Sequence, residues 1–247
     1  GKKIVSYEEG GSNGLLGSDC RSTIALLLTS SATSGDPVEA WCVSIGGGFK
    51  PLLLCMDVYG AALFQPKSSQ DGTPVSAPAF DPMAITITVT GDDESGDSII
   101  SIDLFNLRTN YDLECIERGD VIAQASFPRL RDVNIVRPTM AMGVAPIAFC
   151  LCCENLVIVI VRDEGLIMVY KFEGVDSNNE NVLNLVHEKR LGRYIVDAAI
   201  RSRHEGDDML SENSPASGEE MDIVALVCEE SNVKDGRLVT ISMNNMN

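Results

Sequence analysis

The chain is poor in aromatic residues, in histidine and in basic residues, and each shortage narrows what it can be. Aromatics make up 5% of its 247 residues, so a core must be built from Val, Ile, Leu, Ala, Met and Cys. The two histidines, His187 and His204, show no ligand spacing. Lys and Arg number 19 against 36 Asp and Glu, a net charge of −17. Nucleic acid demands a basic footprint, so the overall charge speaks against it as a direct partner. An anionic membrane surface would repel the chain as well. No apolar run reaches the roughly 20 residues of a spanning helix, and no secretory leader opens the sequence. The longest apolar run, residues 156–161, is strand length. A phosphate loop and a His-Glu-x-x-His pair are missing. The sequence therefore assigns no catalytic, cofactor-binding or metal-binding residue and reads as a non-enzyme.

Glycosylation sequons are missing too, although the chain has 8 cysteines. Cys42, Cys55, Cys150, Cys152 and Cys228 sit inside apolar, strand-like runs, where a free thiol behaves as a small hydrophobe. Adjacent Cys152 and Cys153 have poor geometry for bridging each other. Cys150 and Cys152 should face one way on a strand and Cys153 the other, without the paired spacing or nearby His of a zinc site. These features predict a reduced, intracellular protein, cytoplasmic or nuclear.

What is present is strand signal. Residues 156–161 and 166–172 are two β-branched apolar runs around an Asp163, Glu164, Gly165 turn, a hairpin pattern. Residues 22–29 and 37–45 repeat it around a polar loop. Residues 84–90 and 98–105 repeat it around an acidic loop, and residues 222–228 and 237–242 repeat it once more. Further candidate strands lie at 51–55, 61–64, 121–127, 145–151, 182–187 and 194–200. No stretch makes a convincing amphipathic helix. Hydrophobic residues reach 45%, enough for a substantial core in one β domain of this length.

In a four-stranded frame, residues 145–151, 156–162, 165–172 and 182–188 form one unit, and 194–200 begins the next. This pattern resembles WD-repeat and related β-propellers, clearest over residues 145–242. The Trp-Asp signature is absent; Val169, Tyr170 and Lys171 stand where it would fall. The hairpins recur roughly every 60–70 residues, longer than a WD repeat. The resemblance implies an all-β propeller or partial propeller of four-stranded antiparallel blades, acting as a non-catalytic protein–protein interaction scaffold in a larger multi-subunit assembly. Closed rings use about 4–8 blades. Four units with an incomplete last one therefore predict either closure by residues 3–7 or a segment of a larger propeller, and an opening Gly1 reads as a processed or partial chain. The rival is a β-sandwich or jelly roll, with a viral coat protein as its function.

Two segments stand out from the strands. Residues 205–220 are acidic and rich in Ser and Gly, and predict a flexible insertion in which Ser214 and Ser217 look accessible to kinases. Residues 187–204 form a basic island: Lys189, Arg190, Arg193, Arg201 and Arg203 against Glu188 and Asp197. Paired with the chain's own acidic loops, the island is structural; left open, it is a docking site for an acidic partner. Arg129, Arg131 and Arg137 form a second candidate. Asp92, Asp93, Glu94 and Asp97 gather in a loop, but not at the spacing of a calcium-binding loop.

Overall fold

The computed structural model describes residues 2–9, 23–31, 38–45, 49–64, 83–91, 98–110, 112–128, 148–153, 155–173, 182–203, 220–228 and 235–243. The acidic loop at 92–97, the arginines at 129–137 and the insertion at 205–219 lie outside them. The described residues form fifteen strands in four antiparallel sheets and no α-helix. None is therefore long and apolar enough to cross a membrane there.

Sheet 1 contains β1 (Lys2–Glu9), β2 (Thr23–Ser31), β3 (Glu39–Ile45) and β4 (Leu52–Cys55). Sheet 2 contains β5 (Val58–Phe64), β6 (Met83–Gly91), β7 (Ser98–Asn110) and β8 (Cys115–Pro128). Sheet 3 contains β9 (Ala148–Cys153), β10 (Leu156–Val161), β11 (Leu166–Glu173) and β12 (Val182–Arg190). Sheet 4 contains β13 (Tyr194–Arg203), β14 (Glu220–Cys228) and β15 (Arg237–Ser242). Within every sheet each strand pairs only with its sequence neighbours. All four hairpins read from the sequence form, as β2–β3, β6–β7, β10–β11 and β14–β15.

Two expectations need correction. The segment around Lys3–Tyr7 does not complete the last sheet: β1 pairs with β2, Lys3 opposite Ser30 and Tyr7 opposite Leu27. The rival two-sheet sandwich is not formed either, because four sheets stack in chain order. Period-two alternation is common to both architectures, so only the non-local pairings could separate them.

Three apolar layers hold the stack. Ile24, Leu26, Leu28 and Cys42 of sheet 1 meet Val58, Ala84, Phe105 and Leu107 of sheet 2. The other side of sheet 2 (Phe64, Ile85, Ile87, Ile102, Leu104) meets Val157, Val159, Met168 and Phe172 of sheet 3. Ile158, Ile160, Ile167 and Val169, on the reverse of the same two strands, meet Ile195, Ile223, Ala225 and Val227 of sheet 4. The unbroken apolar run of β10 is thus explained: it is covered on both faces and points alternate side chains into two different cores. Each such fully buried side chain contributes about 1.5–3 kcal/mol. No core cluster among the described residues joins sheet 4 back to sheet 1.

The first strands of consecutive sheets lie side by side, as do the last strands of sheets 1 and 2 and of sheets 2 and 3. β5 and β9 approach so closely that a Cβ added at Gly60 would stand 2.3 Å from the Ala148 carbonyl oxygen. Charged side chains bridge the sheets with their guanidinium planes on aromatic rings. Arg118 of β8 lies 4.5 Å over the Phe105 ring and donates to the Leu54 carbonyl of sheet 1 at 3.2 Å.

Candidate interaction surface

The basic island is positioned by the joint between sheets 3 and 4. The β10–β11 turn places Gly165 at a φ of 59°, with its amide donating to the Arg162 carbonyl at 3.3 Å. The chain leaving β12 folds over this turn. Leu191 donates its amide to the Gly165 carbonyl at 2.8 Å, and Ile195 donates to the Arg162 carbonyl at 3.1 Å. Backbone contact is tight enough that a Cβ at Gly165 would lie 2.4 Å from the Arg193 carbonyl oxygen.

Arg162 locks the joint. Its guanidinium lies 4.3 Å over the Phe149 ring and donates to the Ile195 carbonyl at 3.3 Å and to the Val196 carbonyl. Burial pulls its pKa below the usual arginine value, while Tyr194 and Asp197 oppose that shift. The Nε atom is buried without a hydrogen-bond partner. The arginine is therefore held by carbonyls and a ring face, an arrangement that a planar guanidinium can satisfy and a lysine cannot.

Around this joint the island divides. Lys189 and Arg190 end β12, opposite Ile167 and Leu166, and both are exposed. Arg193 is half-buried in the connection to β13. Arg201 and Arg203 lie at the far end of β13, opposite Asp222 and Glu220. Seven strand residues lie between Arg193 and Arg201, which sets them roughly 25 Å apart at the usual rise. The five residues do not form one cluster.

The acidic partners of Arg190 and Arg201 are strand residues. Arg190 Nε meets Glu188 Oε1 at 3.1 Å between exposed side chains, a pair worth little. Arg201 differs. Its Nη2 lies 3.0 Å from Asp222 Oδ2, and Asp222 is 0% exposed. Arg201 is thus tied to a buried carboxylate, and a buried charge is costly to leave unpaired. Asp222 went unnoticed in the sequence because it reads as the polar opening of an apolar run. Its signal was an acid facing Arg201 across the sheet, and that register cannot be known without the β13–β14 pairing.

The outer face of sheet 4 is mixed. The register sets Arg201, Asp222 and Ser242 in one row, Ala199, Val224 and Thr240 in the next, and Asp197, Leu226 and Leu238 in the one after. These alternate with the residues that enter the sheet 3–sheet 4 core. Leu238 is 72% exposed.

The seven described cysteines are all free thiols. Cys150 and Cys152 join the core between sheets 2 and 3, whereas Cys153 faces sheet 4 and meets Met221 Sδ at 3.4 Å. Burial pushes the Cys42 thiol up to about 12 and raises that of Cys228. His187 Nε2 is buried without a partner. Among the described residues no three His, Cys, Asp or Glu side chains are gathered as a metal site would require. No protein-family model matches the chain, and no curated protein matches it.

Proposed function

We propose that the chain is a β-propeller-type arc serving as a non-catalytic protein–protein interaction scaffold in a larger assembly. The observation that carries this reading is the stacking of consecutive antiparallel meanders in chain order, first strand beside first strand throughout. That is how blades are arranged around an axis. Such an array holds its connections and outer strands rigidly at the surface, where a binding partner meets them.

Within the basic island, Lys189 and Arg190, with Arg193 beside them, form the partner-binding end. They are carried on an outer strand and a turn anchored by Arg162, and neither Lys189 nor Arg190 faces a buried acid. On a chain of charge −17, a local positive region orients an acidic partner protein during encounter. The test is affinity capture with the full-length protein and a Lys189→Glu/Arg190→Glu variant. The variant should keep its melting temperature, lose partner proteins and show a weaker salt dependence of what remains. Capture unchanged in both amount and salt dependence refutes this surface.

A further inference from the structure

Cysteine thiols and methionine thioethers are soft donors, and three of them come together where sheet 3 meets sheet 4. Cys153, at the end of β9, points its Sγ at Met221 Sδ of β14, 3.4 Å away. The third is Met243, just past β15. It donates its amide to the Met221 carbonyl at 3.0 Å, and it continues the register in which Asp222 faces Ser242 and Ile223 faces Ile241. Met221 and Met243 are therefore directly opposite neighbours. Cross-strand partners of this kind hold their Cβ atoms about 4.5–5.5 Å apart, a gap that flexible thioethers span. Parity puts both on the face that carries Ile223 and Ile241, and both pack in the core between sheets 3 and 4. Sheet 3 walls the group with two leucines of the same core. Leu151 lies two positions before Cys153 on β9, and Leu156 lies opposite it on β10.

We propose that Cys153, Met221 and Met243 form a binding site for a soft monovalent metal ion, copper(I). Thiolate and thioether ligands favour copper(I) over harder divalent ions. Metal–thiolate bonds measure about 2.3 Å in zinc sites, so two sulfurs on one ion of similar size stand at most about 4.6 Å apart. The 3.4 Å between Cys153 and Met221 lies inside that span. Charge decides between the candidate ions. Binding replaces the S–H bond of Cys153 with an S–Cu bond and releases the proton to solvent. One thiolate then neutralises one monovalent ion, and two uncharged thioethers complete the set. The apolar layer gains no net charge. A divalent ion would leave one positive charge that this donor set does not compensate, which is costly to bury.

Access is built in. Met243 is buried, but Cys153 and Met221 are half-buried, so the thiol exchanges its proton with solvent and takes up the ion from there. Arg162 follows the end of β10, whereas Cys153 lies opposite its start. The bound ion therefore fastens sheet 3 to sheet 4 at the end of the joint away from Arg162. The three donors are far apart in the sequence, and a search by ligand spacing passes over them.

The experiment is a competition titration of the reduced full-length protein with copper(I) under nitrogen, with bicinchoninate as the coloured competitor. Wild type is compared with Met221→Leu, Met243→Leu, Cys153→Ser and Cys152→Ser. Leucine replaces methionine at nearly constant volume, so both of those variants should keep the circular dichroism spectrum. Wild type should withhold one equivalent of copper(I) from the competitor. Each methionine variant should weaken that equivalent roughly 10-fold or more. Cys153→Ser should abolish it, and Cys152→Ser, whose side chain joins the core between sheets 2 and 3, should leave it in place. A wild type that withholds no copper(I) overturns the proposal. So does full affinity in either folded methionine variant, because that thioether is then no ligand. Loss of the equivalent in Cys152→Ser overturns it as well, by assigning the ion to the adjacent thiols. The readout is metal affinity, so it stands or falls apart from partner capture at β12.

Discussion

Gly165 and Gly192 make a matched pair that tests the joint between sheets 3 and 4. Both hold positive φ, 59° and 65°. They differ in the space around them. A Cβ at Gly192 meets nothing within 4 Å, whereas one at Gly165 stands 2.4 Å from the Arg193 carbonyl oxygen and 2.9 Å from its nitrogen. Alanine in the left-handed region costs about 1–2 kcal/mol, and the reduced freedom of the unfolded chain returns about 0.4–1 kcal/mol. Gly192→Ala should therefore destabilise by about 1 kcal/mol. Gly165→Ala carries the same backbone cost, and it must also push two backbones apart. Overpacking of this kind adds roughly 1–3 kcal/mol, for a total of about 2–4 kcal/mol. Urea unfolding of the two variants, compared at midpoint with the slope checked for constancy, measures the difference. Losses equal to within about 0.5 kcal/mol would refute the close contact of the β10–β11 turn with Arg193, and with it the placement of Lys189 and Arg190.

Other outcomes follow from the same interfaces. Arg162→Met should destabilise by about 2–4 kcal/mol, because it strands the Ile195 and Val196 carbonyls in the joint. Arg162→Lys should recover little of that loss, since lysine lacks the planar fork; full recovery in thermal melts would argue that only the charge matters. Arg201→Glu should lower the melting temperature sharply, because it sets a second carboxylate against buried Asp222. The double change Arg201→Glu/Asp222→Arg should restore part of the loss, and no loss in the single variant would show that the pair is not closed. Cys42 holds its proton up to about 12 in the folded state, against 9.0 when exposed. Between those values the unfolded chain binds fewer protons than the folded one, so stability is intact below about pH 9 and falls as pH rises toward 12. Cys42→Ala should flatten part of that slope in denaturation series from pH 8 to 11; an unchanged slope would assign the alkaline loss to other groups, Tyr170 among them.

The sequence by itself determined the strands and the hairpins. Alternation with period two, and a turn such as Asp163 to Gly165, are local properties, and residues a few positions apart must satisfy them together. The sequence also separated Cys150 and Cys152 from Cys153, because facing is set by parity alone. It underestimated β8, read as residues 121–127 but extending over Cys115–Pro128, since Glu117, Arg118 and Asp120 interrupt the apolar signal on an exposed edge. What only the tertiary structure decided is who neighbours whom. Residues near Lys3 and Tyr7 are expected from the sequence to close the ring, but whether they join β2 or the last sheet depends on contacts distant in the chain. The five basic residues look like one cluster because sequence distance is short, yet an extended strand carries Arg201 roughly 25 Å from Arg193. Asp222 and Arg201 found each other across a register that no local pattern fixes.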